Sequence, residues 1–243
     1  MRIFDPDPSL RWLFCLTHPD DEISVCAWIK RLAENGNEVH LSWTHALPVR
    51  VEEAREVAKA LGVSQENLHF HGGTDGSVCD EIGILKQRFQ TMMEAVKPDR
   101  VVCGAFEQGH LDHDATNVLV NLTYRGPVLE APFYHVYLTR LQTLNRFSDP
   151  RGQEIRELSR EERAFKIQVA RMYPSQNIWS ILFWHESVRR ATFRRSELLL
   201  NERLRLQFHH DWRTPQHPER LRKKVEASPK WQRWLAAMDR AGL

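Results

Sequence analysis

The sequence has 243 residues, enough for one large domain or for one domain with an elaborated end, since domains usually contain roughly 100–200 residues. Its 42% hydrophobic and 27% charged residues exclude collagen-like, low-complexity and wholly disordered chains. The formal net charge of +2 is too small for the whole chain to bind a polyanion through charge alone. Basic residues are in excess only near the end, where residues 201–243 contain ten basic and five acidic residues.

The pattern of cysteines and the lack of long apolar segments indicate in which cellular compartment the protein resides. The four cysteines form no CxxC pair, which disfavours a thiolate zinc site and a disulfide framework and favours a reducing interior. The opening MRIFDPDPSLRW lacks the basic end and apolar run of an export signal. No apolar stretch approaches the roughly 20 residues that span a bilayer. We therefore expect a soluble, cytoplasmic protein with no membrane span.

The first half of the chain alternates short apolar runs with amphipathic stretches, a pattern typical of βαβ units. Together these predict an α/β fold, three-layer and Rossmann-like, with a mainly parallel sheet and helices on both of its faces. The predicted strands are 12–17, 38–45, 67–71 and 100–106, and the predicted helices are 22–34, 51–63 and 81–96.

The second half has a weaker pattern. Residues 112–124 and 161–173 have helical periodicity, the stretch 127–138 contains a strand, and 147–154 is polar enough for an exposed loop. We predict one domain over residues 1–200, followed by a basic C-terminal extension over residues 201–243 that packs on the domain or on a partner.

Two polar clusters follow predicted strands directly. THPDDE occupies residues 17–22, and EQGHLDHD occupies residues 107–114. Ligands of open α/β sheets bind beyond the carboxyl ends of the strands, so the two clusters can face one another there. Their imidazoles and carboxylates are the ligand mix typical of a catalytic zinc, with surplus groups for acid–base work. The alternatives are acids that stabilise a helix N-terminus and a histidine-rich solvated loop.

The two clusters resemble the paired signature of the LmbE/PIG-L superfamily of zinc-dependent de-N-acetylases, whose usual forms are AHPDDE and GHPDHxA. Three further segments resemble elements of that family, namely RVEEAREVAKALGV (50–63), GGTDGSV (72–78) and YPSQ (173–176). The resemblance covers roughly residues 12–185. Thr17 replaces the usual alanine and Leu111 the usual proline, so no functional side chain is lost.

The resemblance implies a zinc site with a defined set of roles. His18, Asp21 and His113 would bind Zn²⁺ or another divalent metal, and Asp20 would be the general base for the metal-bound water. A protonated His110 would stabilise the oxyanion together with the zinc, and Asp112 would orient His110 and keep it cationic. Either Asp20 or His110 would protonate the leaving amine. We expect Glu22 to be structural.

The resemblance also implies a substrate, an N-acetylglucosamine moiety on a larger aglycone, from which an N-acetyl group is removed. Arg50 and Asp75 match positions that contact sugar hydroxyls; as alternatives, Arg50 is a solvated residue that opens a helix and Asp75 is a turn residue. His69 and His71 share a strand face, and we expect one of them near the rim of the active site and the other on the surface; a second metal site is the alternative.

Two other functions compete with this interpretation. A metal-dependent amidase or deacetylase acting on a non-sugar or natural-product amide would use the same zinc chemistry. The basic tail, with Trp212, Trp231 and Trp234, would suit a nucleic-acid-binding module, but we favour packing of these tryptophans. We expect a small-molecule sugar acetamide as partner and no nucleic acid, and the sequence is compatible with a homo-oligomer.

Overall fold

The computed structural model describes residues 2–243 except 136, 139–142, 179–183, 185–186, 190 and 193–196. The strands are β1 Trp12–Leu16, β2 Val39–Trp43, β3 Leu68–Phe70, β4 Arg100–Gly104, β5 Val128–Ala131, β6 Tyr134–His135, β7 Thr143–Leu144, β8 Gln153–Glu157 and β9 Asn201–Leu206. A seven-stranded mixed sheet has the order β3-β2-β1-β4-β5-β9-β8, and a two-stranded ribbon pairs β6 with β7. The first five strands of the large sheet are parallel, whereas β9 is antiparallel to both of its neighbours.

Helices cover both faces of this sheet because successive strand residues point to opposite sides. The helices are α1 Cys26–Glu34, α2 Pro48–Leu61, α3 Ile82–Val96, α4 Leu111–Thr123, α5 Arg160–Arg171, α6 Glu219–Glu226 and α7 Pro229–Ala241. Trp12 and Phe14 of β1 pack in one apolar cluster with α1, α2 and α5, whereas Leu13 and Cys15 pack in a second cluster with α3, α4 and α7. The predicted three-layer α/β fold with a mainly parallel sheet is confirmed.

The chain departs from the sequence-based boundaries in two places near the predicted site. Residues Asp21–Ser24 form a short 3-10 helix, and α1 begins only at Cys26 rather than at residue 22. Helix α2 begins at Pro48, three residues before the predicted start, because proline is well suited to a first helical turn. Both differences reshape the loops at the carboxyl ends of β1 and β2.

The C-terminal residues are joined to the main sheet. Strand β9 lies between β5 and β8, so residues 201–206 are part of the sheet itself. Trp231 and Trp234 of α7 are buried against the α3 and α4 face. The division of the chain at residue 200 stays a prediction, although this strand links the two predicted parts in one sheet.

None of the helices in the described part of the chain is both long and apolar enough to cross a membrane. All four cysteines are free and buried.

Candidate active site

Two loops meet where β1 and β4 end side by side. Strand β1 pairs with β2 on one side and with β4 on the other, so the chain order reverses between these neighbours. Such a reversal opens a crevice beyond the carboxyl ends of the strands. The loop after β1 carries residues 17–22, and the loop after β4 leads into α4 with residues 107–114. The two polar clusters of the sequence therefore lie in one place.

His18, Asp21 and His113 form a buried cluster whose ligand atoms all lie within 4.8 Å of one another. The Nδ1 atom of His18 is 3.3 Å from Nε2 of His113, which is 3.4 Å from Oδ1 of Asp21. Bonds of about 2.0–2.2 Å arranged tetrahedrally separate neighbouring ligand atoms by about 3.3–3.6 Å, so these two distances fit zinc. Burial lowers the pKa of His113 to about 3, which leaves a neutral imidazole able to coordinate a metal.

Hydrogen bonds around this cluster orient its members. Oδ2 of Asp21 accepts the backbone N–H groups of Thr17 and His18, each at 2.9 Å, which leaves Oδ1 directed at His113. The other ring nitrogen of His18, Nε2, lies 3.3 Å from Asp75 and 3.5 Å from Asp112. Carboxylates in this position fix the tautomer of a metal-binding histidine, so Nδ1 is the free ligand atom of His18.

Asp20 occupies a constrained position beside the cluster. Its φ angle of 113° lies in the left-handed region, which is uncommon for a residue with a side chain. Nη2 of Arg50 donates to Oδ2 of Asp20 at 2.7 Å and to the carbonyl oxygen of Pro19 at 2.6 Å. Burial and the neighbouring Asp21 raise the pKa of Asp20, and Arg50 opposes this rise. Arg50 is only 5% exposed, so it supports Asp20 instead of projecting freely towards solvent.

His110 and Asp112 are arranged differently from the sequence-based expectation. Nδ1 of His110 accepts the backbone N–H of Asp112 at 3.2 Å, and burial is the main cause of a lowered pKa of His110. The Asp112 carboxylate is 3.9 Å from that Nδ1, and it accepts instead the backbone N–H groups of Gly76 at 2.6 Å and Val78 at 3.1 Å. In this geometry the Asp112 oxygens are engaged with the 76–78 loop and face His18, and the role of Asp112 in orienting His110 stays a prediction.

Asp75 lies on the loop that Asp112 holds. Its side chain is 56% exposed and Oδ1 is 3.3 Å from Nε2 of His18, so it stands at the rim of the site. His18, Asp112 and His110 also form a second group that could hold a metal, and its ligand atoms lie within 4.8 Å of one another. Both carboxylate oxygens of Asp112 accept backbone N–H groups, whereas Oδ1 of Asp21 remains directed at His113. The cluster with His113 and Asp21 is therefore the better metal site.

A cavity of about 330 Å³ opens at this site. Its polar wall contains the metal cluster together with Asp20, Arg50 and Asp75. The apolar part of its lining includes Phe133 and Leu144, and Gln176 also lines the cavity. Six of the eight site residues predicted from the sequence line this cavity: His18, Asp20, Asp21, Arg50, Asp75 and His113. The other two, His110 and Asp112, lie beside His18.

Sequence reasoning did not single out several residues of this region. His45, which follows β2, donates from Nδ1 to the carbonyl oxygen of Gly73 at 2.7 Å, and its ring centroid is 5.7 Å from that of His18. Phe133 packs edge-on against His113 with ring centroids 5.3 Å apart. The position of His45 at the end of a predicted strand was a signal that could have found it, whereas Phe133 has no sequence signal of its own.

The basic tail makes internal contacts near the site. Arg233 donates to the carbonyl oxygen of Gly76 at 2.8 Å, and both Arg233 and Arg240 pair with Asp80. Trp234 donates from its indole nitrogen to the carbonyl oxygen of Trp212 at 2.7 Å. These contacts hold α7 against the loop that carries Asp75.

The PIG-L family model, described as GlcNAc-PI de-N-acetylase, matches residues 13–124, which contain both polar clusters. This segment of the chain is similar to the LmbE/PIG-L family. The match confirms the resemblance seen in the sequence and the enzyme class that it implies, a metal-dependent N-deacetylase. No protein with curated annotation matches the chain.

Several solved structures share the fold of this protein. The zinc-inhibited form of teicoplanin deacetylase Orf2 matches with a TM-score of 0.60 and 16% identity over 83% of this chain and 99% of that one. The deacetylase Dbv21, which acts on the A40926 pseudoaglycone, matches with a TM-score of 0.59 and 19% identity over 83% and 99%. The conserved protein TT1542 from Thermus thermophilus matches with a TM-score of 0.55 and 15% identity over 82% and 95%. At these identities the likeness concerns the fold.

Proposed function

We propose that this protein is a zinc-dependent hydrolase that removes the N-acetyl group from an N-acetylglucosamine-type sugar conjugate. The observation that carries the proposal is the buried cluster of His18, Asp21 and His113, spaced for a tetrahedral metal, with the Asp20 carboxylate in the same cavity. This is the donor set of a catalytic site, three protein ligands with room for a fourth.

The metal would be held by Nδ1 of His18, an oxygen of Asp21 and Nε2 of His113. When bound, zinc supplies a Lewis acid that polarises a carbonyl group and lowers the pKa of water. The nearby acids Asp75 and Asp112 add negative charge beside His18, which favours a divalent cation.

Asp20 accepts the proton of the attacking water. Arg50 engages Oδ2 of Asp20, and Oδ1 is the oxygen that takes the proton. The water oxygen bonds to the acetamide carbon, the carbon–nitrogen bond then breaks, and Asp20 returns the proton to the amine nitrogen. A positioned carboxylate of this kind contributes about 10²–10⁴-fold to the rate.

His110 stabilises the carbonyl oxygen as it gains negative charge. Its Nδ1 accepts a backbone N–H, so the ring proton lies on Nε2, where it can be donated to that oxygen. A neutral imidazole performs this task, so the proposal does not need a protonated His110. With the Nε2 proton engaged at oxygen, Asp20 is the better proton donor to the amine.

The substrate class is supported by the family description and by the relatives that deacetylate teicoplanin and the A40926 pseudoaglycone. Asp75, exposed at the rim, suits a hydrogen bond to a sugar hydroxyl because charge-assisted hydrogen bonds are strong and directional. Arg50 acts mainly on Asp20, since its Nη2 already donates to Asp20 and to the Pro19 carbonyl.

The test measures acetate release by the zinc-loaded protein from N-acetylglucosamine conjugates, with N-acetyl amino acids beside them and with a chelator as control. The Asp20→Asn variant should retain zinc and lose about 10²–10⁴-fold in kcat, whereas Asp149→Asn, at an ion pair with Arg151, should match the wild type. Hydrolysis of the non-sugar amides alone would establish the alternative amidase. Absence of metal-dependent release from every sugar acetamide would overturn the proposal.

A further inference from the structure

We propose that Tyr173 is a positioning residue for Asp20 and acts through Glu22. The inference rests on the proposed function, because Asp20 is the base of that reaction. Tyr173 lies in the turn after α5 and its side chain does not line the cavity. Within the part of the chain that the structure describes, its hydroxyl donates a hydrogen bond to Glu22 and to none of the metal ligands or Asp20. Its effect on Asp20 therefore passes through a second side chain.

Glu22 is the link between Tyr173 and Asp20. Its carboxylate is completely buried, and Oε1 accepts a hydrogen bond from the Tyr173 hydroxyl. Oε2 accepts the backbone N–H of Asp20 at 3.1 Å and the indole N–H of Trp43 at 3.4 Å. One carboxylate therefore joins the backbone of Asp20 to two buried aromatic side chains from other parts of the fold.

Asp20 needs this support because its backbone is strained. Side chains rarely adopt a φ angle of 113°, and residues in such conformations persist only where the surroundings hold them. Arg50 holds the carboxylate of Asp20, but rotation about φ is opposed at the amide, where Glu22 binds. Loss of the Glu22 contact would let the backbone relax and turn the carboxylate away from the cavity.

The same turn also supports the helix that carries Arg50. Ser175 donates from its backbone N–H and its hydroxyl to the Glu53 carboxylate, at 2.9 and 2.6 Å. Glu53 lies three residues after Arg50 in α2, and residues at this spacing are neighbours on a helix. Residues 173–175 thus reach both groups that hold Asp20, the Glu22 carboxylate and the Arg50 helix.

The experiment compares Tyr173→Phe with Tyr124→Phe in the zinc-loaded enzyme. Tyr124 donates to the Asp99 carbonyl at 3.3 Å at the far end of α4, so the control also loses one tyrosine hydroxyl that is hydrogen-bonded. Tyr173→Phe should lower kcat about tenfold, an effect within the range of one lost hydrogen bond, with KM and zinc content within about twofold of the wild type. Tyr124→Phe should leave all three unchanged.

A double-mutant cycle separates positioning from general damage. If Tyr173 acts through Asp20, adding Tyr173→Phe to Asp20→Asn should change kcat less than about twofold, because the group it positions has already lost its function. General damage would cost the same tenfold again. Glu22→Gln, which keeps the side-chain shape but has one acceptor oxygen, is the second variant should Tyr173→Phe fold poorly, and it should show the same dependence on Asp20.

A readout independent of activity is hydrogen exchange at the Asp20 amide. It should be faster in Tyr173→Phe than in the wild type and unchanged in Tyr124→Phe. If the wild type is active and the two tyrosine variants have equal kcat, or if the losses in the double-mutant cycle are additive, the inference is overturned and the proposed function stands. A zinc-loaded wild type without activity overturns the proposed function, and the exchange rates then decide whether Tyr173 holds Asp20.

Discussion

Replacement of Gly104 by alanine tests how tightly the apolar wall packs against the metal cluster. Gly104 ends β4, and a Cβ atom added there would lie 2.9 and 3.0 Å from Cε2 and Cδ2 of Phe133. Carbon atoms in ordinary contact are about 3.5–4.0 Å apart, so the ring would have to move by about half an ångström or more. Phe133 is 7% exposed and packs on His113, so that movement displaces atoms of the site.

The expected cost is that of overpacking a well-packed core, about 1–3 kcal/mol in the free energy of unfolding. For a chain of this size that cost lowers Tm by roughly 2–12 °C. The φ angle of Gly104 is not in the left-handed region, so lack of space is the cause and backbone strain is not. The displaced ring also narrows the cavity, so KM should rise severalfold. Thermal unfolding and steady-state kinetics measure the two effects.

Gly83→Ala is the matched control. Gly83 lies in α3, and an added Cβ there meets no heavy atom within 4 Å. Alanine is favoured over glycine in a helix by roughly 0.5–1 kcal/mol, so this variant should be slightly more stable than the wild type with unchanged KM. If Gly104→Ala unfolds at the same temperature as the wild type and retains its KM, Phe133 is not packed against Gly104 and the reasoning fails.

Three further variants probe the metal, the base and the core. His113→Ala should weaken zinc binding by more than about 100-fold in a chelator competition, and affinity equal to the wild type would exclude His113 as a ligand. Arg50→Met should lower kcat at least about tenfold with zinc content unchanged, because Asp20 loses its charged partner; full turnover would contradict this. Arg205→Met should cost about 3–5 kcal/mol in urea unfolding, since it removes the guanidinium that pairs with the buried Glu130 carboxylate at 2.7 Å. Burial opposes ionisation of Glu130, but His209 and Arg205 lower its pKa to about 2. The free energy of unfolding of the wild type should therefore fall as the pH drops from about 4.5 towards 2, and it should fall less steeply in Arg205→Met.

The site was predictable from the sequence because each of its parts is local. His18, Asp20 and Asp21 stand within five residues after β1, a strand of buried apolar residues, and His113 follows another such strand. Parallel strands end at a common edge, so spacing and strand order were enough to bring the clusters together. Their role in catalysis stays a proposal.

Other contacts could not be read from the sequence because they join distant segments. Tyr173 and Glu22 are separated by 151 residues, and no periodicity links them. The orientation of Asp112 is a further case, since the sequence places it beside His110 while its carboxylate binds the 76–78 loop instead. Adjacency in sequence does not determine where a side chain points.

The sequence by itself determined the α/β architecture, the two clusters of potential ligands and the resemblance to one family. Those properties follow from apolar periodicity and from motifs a few residues long, which local chemistry specifies. Only the tertiary structure decided that β9 joins residues 201–206 to the sheet, that Arg50 donates a hydrogen bond to Asp20, and that Glu22 connects that aspartate to Tyr173. These outcomes depend on how separate elements pack, because a buried polar group bonds to whatever donor or acceptor the fold brings within reach.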